Sequence, residues 1–168
     1  KAYMSIELLD QIANEVAAII RAQCGMAKKC LVLDLDNTLW GGILGDDGLD
    51  GIELSNTPIG EAHLDFQRNI KRLSEQGIIL AISSKNDKVN VDKALAQRQD
   101  MLLKADDFSV IIANWEQKSN AISKISHLLN IGADSLVFVD DSAFEREEVK
   151  QQFPHLVVID PGTDPAEY

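Results

Sequence analysis

The 168-residue sequence predicts an α/β protein: a three-layer sandwich around a mostly parallel, Rossmann-like sheet. Three observations predict it. Short apolar runs at 30–33, 78–82, 108–113, 135–139 and 156–159 alternate with segments whose apolar residues recur at helical spacing. The first run, Cys30 to Leu33, is continuously apolar, as in a strand covered on both faces. Successive runs end in polar residues, the place where such sheets carry their sites.

Ser5 can cap a first helix, with Ile6, Leu9, Ala13, Val16 and Ile20 on one face and Gly25 at its end. Residues 1–27 are thus expected to form a helix packed on a core domain of residues 28–168. After the first strand, residues 41–56 are rich in Gly and Asp. A calcium loop counted from Asp46 fails, because Gly48 stands where Asp or Asn is wanted and Thr57 where the bidentate Glu should be. Short apolar pairs between glycines predict a small β-hairpin flap, with no large cap domain. Thr57-Pro58 starts a helix carrying Ala62, Phe66, Ile70 and Leu73 inward and stopping at Gly77. Further helices are expected from Asn86 to about Gln99, from Lys118 with Ile122, Ile125 and Leu129 inward, and after a capping box at Ser142–Glu145.

The length fits one domain able to bury roughly 70% of its unfolded surface. A net charge of -11 argues against nucleic-acid and membrane-surface partners, both of which want basic patches. No apolar run approaches a membrane span, and no signal-peptide layout opens the chain. Cys24 and Cys30 cannot build a disulfide framework, so a cytoplasmic location is expected. The absence of a Met start suggests a piece of a larger parent.

The chemistry concentrates in Leu31-Val-Leu-Asp-Leu-Asp-Asn-Thr-Leu-Trp40. Asp34 and Asp36 lie two apart on an extended chain and face one spot. They repel unless a positive charge intervenes, and a divalent cation with phosphate oxygens suits them. From Cys30 to Gln67 there is no Lys or Arg, while acids occur at 34, 36, 46, 47, 50, 53, 61 and 65. A phosphate site there needs a metal or a lysine from elsewhere. Later strand ends supply Ser84 with Lys85, Lys118 just past Trp115, and Asp140 with Asp141. Lys118 is notable because a cation at a helix N-terminus opposes the helix dipole.

Taken in order, these four strand ends resemble the four motifs of the haloacid-dehalogenase (HAD) superfamily of phosphotransferases. The resemblance implies Asp34 as nucleophile, Asp36 as general acid and base, and Ser84 and Lys118 on the phosphoryl oxygens. It implies Mg2+ held by Asp34, the Asp36 carbonyl, Asp140 and Asp141. Asp34-Leu-Asp-Asn-Thr-Leu-Trp-Gly-Gly42, Gly45-Asp-Asp-Gly48, Ser84-Lys-Asn-Asp87, Asn114-Trp115 and Phe144-Glu-Arg146 are similar to the FkbH-like branch. That branch implies a glyceryltransferase/phosphatase taking the glyceryl unit of 1,3-bisphosphoglycerate, removing phosphate and loading an acyl carrier protein for polyketide-type biosynthesis. Many of its members carry Cys where this chain has Ser83, a site for an acyl-thioester; a hydroxyl is a poorer nucleophile. Three explanations stay open: an altered residue, a different tether, or a chain that is mainly a phosphatase. Trp40 and Trp115 are expected either to wall the glyceryl pocket or to pack in the core. Lys85 and Asn86 are expected either at a second phosphate or, for Asn86, as a helix cap. A plain HAD phosphatase of small phosphorylated metabolites and a non-catalytic carrier-binding module are the alternatives.

Overall fold

A computed structural model describes residues 27–55, 57–162, 164 and 165, together with Val16. The expected N-terminal helix therefore lies outside the described residues, apart from Val16, which is helical and exposed. Five strands form one parallel sheet in the order β3-β2-β1-β4-β5. They are β1 (Cys30–Leu33), β2 (Ile79–Ser84), β3 (Val110–Ala113), β4 (Leu136–Val139) and β5 (Val157–Ile159). Five α-helices accompany them among the described residues: α1 (Leu44–Gly51), α2 (Pro58–Glu75), α3 (Lys88–Gln97), α4 (Lys118–Leu129) and α5 (Ala143–Gln152). None is long and apolar enough to cross a membrane.

Alternation along the strands splits the core in two. Leu31, Leu33, Leu80 and Ile82 pack with Leu64 and Ile70 of α2 and Val91 and Leu95 of α3. Cys30, Val32, Ala81 and Phe138 face the other way, onto Ile122 and Ile125 of α4 and Val149 of α5. The predicted three layers are present, and every predicted strand lies within two residues of an observed one. Thr57 caps α2 by accepting from the Gly60 N–H at 2.9 Å, with Pro58 in the first turn.

Register positions the site. Leu33 pairs with Ile82 on one side and with Val139 on the other. The next residues on these strands, Asp34, Ser83 and Asp140, therefore emerge level at the carboxyl edge. β1 is central, and the chain continues to β2 and β3 on one side and to β4 and β5 on the other. Asp34 thus stands at the reversal of strand order, where open α/β sheets bind ligands.

The flap corrects one expectation. Only its base is β, an antiparallel bridge between Gly41 and Glu53; the interior is the helix α1, broken at Gly48 (φ 69°). Asp46 and Asp47 occupy its first turn, where acids favour the exposed N–H groups. Asp47 accepts the Ile43 N–H at 2.7 Å, and Leu44, Ile52 and Leu54 are buried in the core. Local capping and burial of alternate turns thus outweigh the hairpin pattern.

Arg98, at the end of α3, clamps this flap. Its guanidinium donates to the carbonyls of Leu49 and Ile52 (3.0 Å to Ile52) and to both oxygens of Asp100. The guanidinium beside Asp100 holds that carboxyl below its usual range. Arg98→Ala is expected to destabilise the fold by ~1–3 kcal/mol, read as a lower denaturant midpoint, because two part-buried carbonyls lose their donor. It should also speed proteolytic cutting within 44–54. Unchanged midpoint and cutting rate would dismiss the clamp.

Candidate active site

Lys118 organises the strand-end acids. It is the first residue of α4 and only 3% exposed. Its ammonium lies 2.5 Å from Asp34 Oδ1, 2.9 Å from Asp140 Oδ2 and 2.7 Å from the Ser83 carbonyl oxygen. Burial alone would lower its pKa, but the charges of Asp34 and Asp140 more than offset that and hold it above the ordinary lysine value. The position against the helix dipole is tolerable because two carboxylates face it. Glu148 of α5 adds an acid at the same helix start, accepting from both the Ser119 N–H (3.1 Å) and the Ser119 hydroxyl.

Asp34, Asp140 and Asp141 converge, offering carboxylate oxygens all within 4.8 Å of one another. Burial raises the Asp140 pKa to about 6, with the neighbouring Asp34 charge adding to it and Lys118 opposing it. Burial and Asp34 push Asp141 up in the same way. Asp140 Oδ2 is buried, and the Lys118 ammonium at 2.9 Å is the positive charge it faces. Three acids against one ammonium leave excess negative charge, and a hard divalent cation on oxygen donors fits that set.

Asp36 is turned away from this cluster. Its Oδ1 accepts from Trp40 Nε1 and from the Leu44 N–H, both at 3.0 Å, and its Oδ2 accepts from Asn86 Nδ2 at 2.8 Å. Burial raises its pKa despite these donors, and the Asp34 charge adds to the rise. A carboxyl that is oriented by three donors and retains its proton more readily suits a general acid. The side chain of Asp36 thus stays out of the metal-ligand group, consistent with a metal contact through its backbone carbonyl alone.

Several expectations change here. Trp40 is fully buried and orients Asp36, so core packing, not a pocket wall, describes it. Asn86 is 2% exposed, and its amide is used on Asp36 and on Ser84 Oγ (3.2 Å). It does not cap α3, whose N-cap is Asp87. Ser83 is 1% exposed, with a buried hydroxyl that has no hydrogen-bond partner among the described residues. Trp115 is 69% exposed and donates to Asp87 at 3.0 Å, so it does not pack in the core. Ser84 is buried at the end of β2. Lys85 pairs with Glu145 at 2.6 Å. The capping box is half made: Ser142 Oγ accepts the Glu145 N–H at 3.4 Å, but the Glu145 carboxylate goes to Lys85.

Two supports have roles that only the structure shows. Arg146 donates to the carbonyls of Asp140 (2.8 Å) and Asp141 (2.7 Å), fixing the backbone that presents both acids. Gln67 donates to the Leu39 carbonyl at 2.8 Å and accepts from the Leu102 and Leu103 N–H groups, tying α2 to the loop that follows Asp36. For Gln67 the hint is a polar side chain on an amphipathic helix; Arg146 stands in the Phe144-Glu-Arg146 motif, which does not say what it holds.

The chain is similar to the N-terminal part of the protein BF1531 from Bacteroides fragilis, which contains a phosphatase domain and was crystallised with Mg. Identity is 42% and the TM-score 0.90, over 99% of this chain and 45% of that one, so the chain spans under half of that relative. A HAD family enzyme from Bacteroides thetaiotaomicron, complexed with magnesium and inorganic phosphate, aligns with a TM-score of 0.55 at 12% identity, over 82% of this chain and 96% of that one. The HAD domain of effector protein Lem4 from Legionella pneumophila aligns with a TM-score of 0.57 at 15% identity, over 84% and 88%. These two likenesses show the fold. No family model and no curated protein matches the chain.

Proposed function

We propose that this chain, which has the fold of a HAD-superfamily phosphatase domain, is a Mg2+-dependent phosphotransferase working through Asp34. The observation that carries the reading is the buried ammonium of Lys118 set among Asp34, Asp140 and Asp141 at level strand ends. Asp34 Oδ attacks phosphorus, forming an aspartyl-phosphate as the bond to the leaving oxygen breaks. Asp36 donates its proton to that oxygen, then takes one from the water or acceptor that attacks the aspartyl-phosphate. Lys118 and Ser84 stabilise charge on the transferred oxygens. Mg2+, held by Asp34, Asp140, Asp141 and the Asp36 carbonyl, would screen the acids and draw charge from the phosphoryl group.

The FkbH-like motifs support a narrower substrate: 1,3-bisphosphoglycerate, with its glyceryl unit passing to an acyl carrier protein. The buried Ser83 hydroxyl favours the phosphatase half of that activity over a tether at position 83. Chelation tests the metal role. EDTA should abolish phosphate release and added Mg2+ should restore it; turnover indifferent to chelation would overturn the reading. Mass spectrometry of carrier protein incubated with 1,3-bisphosphoglycerate tests the narrower one, an unmodified carrier leaving only a phosphatase.

A further inference from the structure

The Lys85–Glu145 pair joins two segments that the sheet holds apart, the turn after β2 and the start of α5. Lys85 follows Ser84 at the end of β2, and Glu145 lies in the first turn of α5, just after Asp140 and Asp141. Between β2 and β4 runs β1. A bond from one segment to the other therefore crosses the carboxyl end of β1, where Asp34 and Asp36 emerge. The two partners are unequal. Glu145 is 8% exposed, its backbone N–H is capped by Ser142, and its Oε2 is buried with no hydrogen-bond partner among the described residues. The side chain of Lys85 is 34% exposed on a flexible four-carbon stem. The carboxylate is the fixed post and the ammonium is the part that can move.

We propose that Glu145 is a positioning residue for Lys85, and that the pair is a strap across the mouth which an incoming phosphoryl anion opens by taking over the ammonium. The substrate class is an anionic phosphate ester or acyl phosphate, and Glu145 sets its affinity by competing for Lys85. This rests on the phosphotransfer reading above.

The test measures inorganic phosphate binding by calorimetry and KM and kcat for a small phosphomonoester, all with saturating Mg2+. Glu145→Gln keeps the shape and removes the competing charge. Phosphate should then bind ~5-fold tighter and KM fall by a similar factor, the worth of a partly screened ion pair, with kcat little changed. Lys85→Met should raise KM and weaken phosphate binding, and E145Q added to K85M should change neither. If E145Q misfolds by circular dichroism, Glu145→Asp, which draws the carboxylate back by one methylene, should move binding in the same direction. Binding unchanged or weakened in both Glu145 variants, or tightened equally with and without Lys85, overturns the strap. A wild-type chain that binds phosphate through this pair but shows no turnover overturns the phosphotransfer reading and leaves the strap supported.

Discussion

Asp34→Asn is expected to lower phosphate release by at least ~10^4-fold, because an amide cannot attack phosphorus and no neighbouring group takes over. The phosphoprotein intermediate should vanish with it. Stability should move the other way. Asp34 raises the pKa of both Asp140 and Asp141, so its charge is a burden on the metal-free fold. Its removal leaves Lys118 still paired with Asp140. The metal-free variant should therefore melt no lower than the wild type while being inactive. Rapid chemical quench with a labelled phosphate donor, alongside a melt in EDTA, reads both effects. Appreciable turnover would remove Asp34 from the nucleophile's role. A marked loss of stability would show that the Lys118–Asp34 contact outweighs the crowding of acids.

Lys118→Met should be costly in both respects. Met retains the aliphatic length but leaves Asp34 and Asp140 facing each other without a cation. Breaking a buried pair from one side costs ~3–5 kcal/mol, and solvent screens little here because Lys118 is 3% exposed. The metal-free variant should melt well below the wild type. Mg2+ should raise its melting temperature more than it raises that of the wild type, since the metal then supplies the only positive charge among the acids. Turnover should fall by ~10^2–10^3-fold even with Mg2+, the usual loss when one stabilising donor is withdrawn from the transferred group. A variant as stable as wild type in EDTA would sink the electrostatic account of Lys118. Turnover near wild type would remove it from phosphoryl binding.

Much of this protein was legible from local pattern. A continuous apolar run reads as a covered strand wherever it folds, so the five strands and the three-layer sandwich followed from periodicity. Asp34, Asp140, Asp141 and Lys118 were legible because acids and a lysine beside strand ends are costly without a purpose. Their meeting was decided by register: Leu33 pairs with both Ile82 and Val139, and a slip of one residue would turn the acids to the opposite face. Lys118 reaches Asp34 across 84 positions, and Asn86 reaches Asp36 across 50. No local spacing encodes such pairs. For that reason Trp40 and Asn86 had the types expected of ligand contacts, yet packing turned both toward Asp36. The same holds for Glu145, whose place in a capping box was visible while its carboxylate was drawn to Lys85 across β1. The flap shows the local limit. Its glycines permit a hairpin or a broken helix equally, and burial of Leu44, Ile52 and Leu54 together with the Arg98 clamp selects the helix.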